Sequence, residues 1–173
     1  MFNYIDSNYH KSDKILEVGC SSGFNLSFLE SLGFKSLFGL DIHEPSIVAA
    51  NNLSKESINF EVLDVTKGEL PFQDMDLVFT KSCLQQISFQ KVKKAIDNIT
   101  KCLSEKGTIL FYETFGIKRI DRPKSNVNPI GVQKGATVYV HDYFSLFESK
   151  EFIIKKSGNF LIVKRRWNAF SVF

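Results

Sequence analysis

Three carboxylates stand where apolar runs end: Glu17 within ILEV, Asp41 closing SLFGLD, and Asp64 directly after SINFEVL. An acid at the tip of a buried segment is a fixed hydrogen-bond acceptor, suited to the hydroxyls or the amine of a ligand. Behind the first acid comes a turn of small residues, Gly19, Cys20, Ser21, Ser22 and Gly23. Such a turn keeps side chains away from a strand-to-helix crossing and lets a ligand approach the amides that open the helix. Each feature also has a plain structural reading. Asp41 could cap a helix, Asp64 could stabilise a turn, and small residues occur at crossings that bind nothing.

The elements that must position these residues follow from apolar patterning. Residues 15–18 read as a strand, 24–31 as a helix and 36–41 as a second strand; Glu44, Pro45 and the run 46–52 start another helix. Residues 57–63 alternate as a third strand and 76–80 form an apolar fourth. A helix over 88–103 keeps Val92, Ala95, Ile96, Ile99 and Leu103 on one face, Gly107 closes it, and 108–113 is a fifth strand. Residues 1–13 show no convincing period and read as irregular, with Tyr4 and Tyr9 free to cover either a ligand or the sheet. Residues 116–137 read as a long loop of the functional kind, 143–149 as a short helix, and 151–156 with 159–165 as an antiparallel hairpin. Strand and helix alternation implies an α/β, doubly wound, mostly parallel seven-stranded sheet finished by that hairpin, in one domain over residues 1–173.

Composition narrows the classes. The chain has 173 residues, enough for one well-filled core, and its 43% hydrophobic and 24% charged content fits a globular domain. No apolar run reaches the roughly 18 residues of a membrane span, so the expected location is cytoplasmic and no membrane partner is expected. Cys20, Cys83 and Cys102 are odd in number and lack C-x-x-C spacing, which indicates reduced thiols and no metal site. A net charge of +3 is too small to imply nucleic acid. Its distribution matters more, since Lys118, Arg119, Arg122 and Lys124 crowd one loop and Lys164, Arg165 and Arg166 sit near the end.

The glycine spacing does not match the G-x-G-x-x-G of dinucleotide-binding folds, and no second nucleotide-binding half follows. The pattern Glu17-x-Gly19-x-Ser21-x-Gly23 instead resembles the E/D-x-G-x-G-x-G motif of class I S-adenosyl-L-methionine (SAM) methyltransferases, with serine at the middle glycine. Asp64, Leu70-Pro71-Phe72 and Asp76-Leu77-Val78-Phe79 resemble the later stretch of that family, lengthened by a residue or two, and the terminal hairpin is similar to its sheet ending. The resemblance implies SAM as cofactor. It assigns Asp41 to the ribose hydroxyls, Asp64 to the adenine amine, Glu17 to the amino group, and the backbone of Gly19, Cys20 and Gly23 to the amino-acid and ribose parts. Ser21, Ile42, Val65 and Lys81 complete the cofactor set it implies.

Methyl transfer is a displacement at a sulfonium in which the protein mainly orients the reactants. Gln86 stands where many small-molecule members carry histidine; it can orient an acceptor but cannot remove a proton. Glu113, His141 and Asp142 are the remaining candidates for a general base, with His43 nearer the ribose side. The fourth strand ends in TKSC, without the D/N-P-P-Y/F/W motif of adenine or glutamine methylation, which favours a small acceptor over nucleic acid. Looser similarity to sugar and surface-glycan methyltransferases, with Arg119 and Arg122 as phosphate or carboxylate partners, points to O-methylation of a sugar, nucleotide-sugar or phosphorylated metabolite. Two other readings stay open: a non-catalytic SAM-binding subunit, and an RNA or protein methyltransferase using the basic tail.

Overall fold

The computed structural model describes residues 1–54, 57–114, 120–123, 137–147 and 152–165, with backbone alone at 120–123 and 137. In chain order the elements are α1 (Phe2–Asn8), β1 (Lys14–Val18), α2 (Phe24–Ser31), β2 (Ser36–Asp41), α3 (Glu44–Ser54), β3 (Asn59–Val62) and β4 (Met75–Lys81). After these come a 3₁₀ turn (Leu84–Gln86), α4 (Phe89–Lys101), β5 (Leu103–Tyr112), β6 (Ile120–Pro123), β7 (Thr137–Val140), α5 (Tyr143–Leu146), β8 (Phe152–Ser157) and β9 (Phe160–Arg165). Seven strands form one sheet in the order β3-β2-β1-β4-β5-β9-β8. The first five are parallel; β9 runs antiparallel to β5, and β8 antiparallel to β9.

Period-two alternation divides the strands between two cores. Leu16, Val78, Ile109, Phe111, Leu161 and Val163 face one side, where Val92, Ala95 and Ile99 of α4 cover them. Ile15, Leu77, Phe79, Leu110, Phe160 and Ile162 face the other, under α1, α2 and α3. Because β1 pairs Val18 with both Leu40 and Thr80, the ends of β1, β2 and β4 lie level along one edge. That edge carries Glu17, Asp41 and Lys81.

Three expectations are corrected. The first residues form α1, whose Ile5 is fully buried while Phe2 packs edge-on to Phe28 and Phe79, and Tyr4 to Phe160. A helix of two turns is too short to show a period, and tertiary contact decides it. Gly107 does not close α4; it lies inside β5, which begins at Leu103, at an irregularity where the pairing of β4 with β5 shifts between Met75 and Leu77. The stretch 116–137 is not wholly loop, since β6 pairs antiparallel with β7.

Gly107 is required by close approach, because a Cβ there would lie 2.6 Å from the Met75 carbonyl oxygen. Backbone cannot yield as a flexible side chain does. Gly107→Ala is therefore expected to cost about 1–3 kcal/mol, the range of overpacking. Urea unfolding of the two proteins measures it, and equal midpoints would show that the bulge relaxes freely.

Candidate functional site

A cleft of about 510 Å³ opens at the sheet edge. One wall comes from the ends of β1, β2 and β3 and the residues after them, including Gly19, Asp41, Ile42, Asp64 and Val65. The other comes from the segment after β4, with Ser82, Cys83, Gln86 and Ser88, together with Lys91 of α4 and Tyr139 of β7. The structure thus brings six of the expected residues to one cavity: Gly19, Asp41, Ile42, Asp64, Val65 and Gln86. Glu17, Cys20, Ser21, Gly23, Lys81, Glu113, His141 and Asp142 are not among its lining residues. Tyr139, Ser88 and Lys91 are additions that no motif marks, since each arrives by tertiary placement.

The turn after β1 is fastened to β2. Gly19 N and Cys20 N both donate to Leu40 O, at 2.7 and 3.0 Å, Gly23 N donates to Cys20 O at 2.9 Å, and Ser21 N donates to Asp41 Oδ2 at 2.8 Å. These four amides thus have partners within the fold. The glycines serve packing as well as left-handed backbone. A Cβ on Gly19 (φ 80°) would fall 2.4 Å from Cys83 Sγ, and one on Gly23 (φ 76°) 2.5 Å from the Phe60 ring. Side chains at either position strain the fold itself rather than only blocking a ligand.

Asp41 meets the cleft with both oxygens oriented by backbone, Oδ2 by Ser21 N and Oδ1 by His43 N at 2.8 Å. Asp64 Oδ1 accepts from Thr66 N and Oγ1, at 2.9 and 2.7 Å. Burial pushes the Asp64 carboxyl up, but the Thr66 bonds with the Lys67 and Lys91 charges outweigh it and hold the group below its usual range. It is an ionised acceptor. Ile42, 66% exposed, adds apolar surface to the same cleft.

Glu17 differs from both. It is fully buried; Oε1 accepts from Asn25 Nδ2 at 2.6 Å, and Oε2 has no hydrogen-bond partner among the described residues. Asn25 Oδ1 in turn accepts from Lys81 Nζ at 3.2 Å.

The three general-base candidates are engaged in structure. Glu113, buried, accepts from the amides of Cys83 (2.8 Å), Leu84 (3.2 Å) and Gln85 (3.1 Å). Burial raises its carboxyl above the usual range, against the pull of Thr80 and these amides. His141 Nε2 lies 3.0 Å from both Leu84 O and Ile87 O; two acceptors place the proton on that nitrogen. Asp142 caps α5 through Ser145 N and Oγ. Glu113 and His141 therefore clamp the segment 83–87 from its amide and carbonyl sides, and that segment carries Cys83 and Gln86 into the cleft. Desolvation, with Glu113 nearby, raises the Cys83 thiol well above its ordinary value, which keeps it a thiol. Arg119 lies outside the described residues, and Arg122 belongs to β6 with its side chain outside them.

The clamp has a measurable consequence. In Glu113→Gln one of the three amides faces an NH₂ group instead of an acceptor, at a cost of about 1–3 kcal/mol for an unsatisfied buried donor. Thermal and urea unfolding should both show the loss. An unchanged midpoint would mean that Glu113 does not hold the segment.

The residues fit SAM on the features of the site alone, with two strand-end acceptors facing one cleft, apolar surface beside them and an unmatched buried carboxylate oxygen on the neighbouring strand β1. Comparison with known proteins agrees. The family described as "Methyltransferase domain" matches residues 16–111. The mRNA cap guanine-N(7) methyltransferase of Saccharomyces cerevisiae is 29% identical over 155 residues, covering 78% of this chain and 35% of that protein. The chain thus spans about a third of the length of the curated relatives first matched. A SAM-dependent methyltransferase from Methanosarcina mazei shares the fold with a TM-score of 0.75 at 14% identity, over 95% of this chain and 98% of that one. Haemonchus contortus phosphoethanolamine N-methyltransferase 1, solved with phosphoethanolamine and S-adenosylhomocysteine, gives 0.70 at 16% identity, over 98% of this chain and 42% of that one. With the family matched from β1 through most of β5, and the sheet order and strand-end acids in place, the chain belongs to the SAM-dependent methyltransferase domain family.

Proposed function

We propose that this chain transfers the methyl group of SAM to a small anionic acceptor. The observation that carries the reading is the cleft in which Asp41, Ile42, Asp64 and Val65 face Gln86, Ser88, Lys91 and Tyr139. Its volume lies within the roughly 300–1,000 Å³ of small-molecule sites. When bound, SAM supplies an electrophilic methyl on a sulfonium. Asp41 accepts from the ribose hydroxyls, Asp64 accepts from the adenine amine, and Ile42 and Val65 give the base apolar surface. On the opposite wall Gln86 and Ser88 orient the acceptor through neutral hydrogen bonds, while Lys91 attracts negative charge.

The favoured acceptors are a sugar, nucleotide-sugar or phosphorylated metabolite, methylated on oxygen, with Arg119 and Arg122 as further anion contacts. The basic density of residues 118–124 supports this. So does the structural likeness to an enzyme solved with phosphoethanolamine. Methylation of an RNA cap is the second reading, favoured by the guanine-N(7) relative. The expected setting is the cytoplasm, in keeping with free Cys20, Cys83 and Cys102; among the described residues no helix is long and apolar enough to cross a membrane.

Calorimetric titration of SAM should show saturable binding that Asp41→Ala weakens by about 10- to 150-fold, equivalent to 1.5–3 kcal/mol for hydrogen bonds to a charged acceptor. Equal affinities would remove Asp41 from the site. A screen of small metabolites and capped oligonucleotides with methyl-labelled SAM identifies the acceptor class. Label on an anionic metabolite supports the first reading, and label on the capped oligonucleotide alone replaces it with the second. With a metabolite acceptor, replacing Arg119 and Arg122 by Gln should raise KM about tenfold and leave SAM affinity unchanged. An unchanged KM would return the basic cluster to solvated surface.

A further inference from the structure

The turn that follows β3 is braced from within. Asp64 Oδ1 takes both donors of Thr66, and Lys67 N donates to Asp64 O at 2.8 Å. These bonds fix the shape of residues 64–67 but not their place against the sheet, whose ladder here ends where Asp41 pairs with Val62 and Leu63 N reaches Asp41 O. Place is set from α4. Asn98 is 2% exposed, on a helix face otherwise given to Val92, Ala95, Ile96 and Ile99, where an amide without partners would be costly. Its Nδ2 donates to Val65 O at 2.8 Å, across 33 positions of sequence, and a carbonyl partner requires that the amide present its NH₂. The Val65 side chain packs into the core that α4 covers. Lys91 stands two helical turns before Asn98, on the same side of α4, and it lines the cleft with Asp64 and Val65. One side of α4 thus meets this turn twice, through the charge of Lys91 acting on Asp64 and through the Asn98 bond to the next residue.

We infer that Asn98 is a positioning residue for cofactor recognition. By holding Val65 O it fixes the turn so that the Asp64 carboxylate and the Val65 side chain meet the adenine together, and it sets the preference of the site for a purine carrying a 6-amino group. This rests on the reading of the cleft as a SAM site in which Asp64 accepts from the adenine amine. The oxygen left to that amine is Oδ2: Oδ1 already serves Thr66, while the exposed Lys67 ammonium stands 3.7 Å from Oδ2, beyond hydrogen-bond length. A bond to one carboxylate oxygen is directional, so a turn that drifts by about 1 Å loses it even though Asp64 stays ionised. Without the Asn98 donor, Thr66 still braces Asp64, and the loss falls on placement alone.

The test is calorimetric titration of the full chain with two ligands that differ in the base alone, S-adenosylhomocysteine and S-inosylhomocysteine, which carries a carbonyl oxygen where adenine carries the amine. The wild type should prefer the adenine ligand by about tenfold or more, the worth of a hydrogen bond to a charged acceptor. Asn98→Ala removes the donor, and Asn98→Leu removes it while keeping the branched shape; in each the ratio of affinities should fall to within about twofold of unity. Asp64→Ala should abolish the preference to the same extent, and combining it with Asn98→Ala should change the ratio no further, as expected for residues that act on one bond. A purely structural role would lower both affinities by one factor and leave the ratio at its wild-type value. That result, or no change in either affinity, would overturn the inference and leave the cofactor reading intact. Failure of both variants to fold, judged by circular dichroism, would make the bond a requirement of the fold and overturn the inference as well. Saturable wild-type binding without preference would take the adenine amine from Asp64, and the role of Asn98 with it. No saturable heat with either ligand would overturn both readings.

Discussion

Parallel strands that stop at a common edge leave backbone groups there with no ladder partner, and unmet amides and carbonyls in a buried crossing are too costly to keep. Much of the local structure around the cleft answers that constraint. Leu40 O takes the amides of Gly19 and Cys20, Asp41 takes those of Ser21 and His43, and Asp64 takes that of Thr66. Glu113 takes three amides after β4, and His141 supplies a donor to two carbonyls of the same segment. The acids at the edge are thus scaffolding, and in the reading proposed above they are ligand acceptors as well. A carboxylate oxygen has more than one lone pair, so Asp41 and Asp64 can hold backbone and still face a ligand.

The strands and most helices were legible in the chain because their apolar residues alternate or repeat over enough positions to show a period. The runs 36–41 and 24–31 coincide with β2 and α2 for that reason. What escaped is short or long-range. α1 has seven residues and is held by rings up to 156 positions away, from Phe2 against Phe28 to Tyr4 against Phe160. Gly107 reads as a helix stop, but the shifted register against β4 needs it within a strand. At the site, the strand-end acids stood out because each closes an apolar run. The duties of Glu113 and His141 left no such mark, since their partners are backbone groups 28 to 57 residues distant and backbone has no side-chain signature.

The two walls of the cleft differ in how they are built, and the difference bears on function. The acid-bearing wall belongs to the sheet and inherits its rigidity, as a cofactor site requires. The facing wall is the segment after β4, carried on the Glu113 and His141 clamp and joined by Tyr139, which stacks on His141 with ring centroids 6.1 Å apart. In the reading proposed above, acceptor contacts can change on this second wall without disturbing the first.

Asp64 and Glu17 make the remaining contrast, two acids at ends of one sheet with opposite charge states. Asp64 has two bonds from Thr66 and two lysines near it, so it stays ionised. Glu17 has one amide and no solvent, so the free protein keeps it protonated through most of the neutral range. Were Glu17 ionised and unpaired, the sheet would carry a buried charge at its centre, a burden that removal of one partner from a buried pair shows to be several kcal/mol. Held as an acid, the carboxyl avoids that burden.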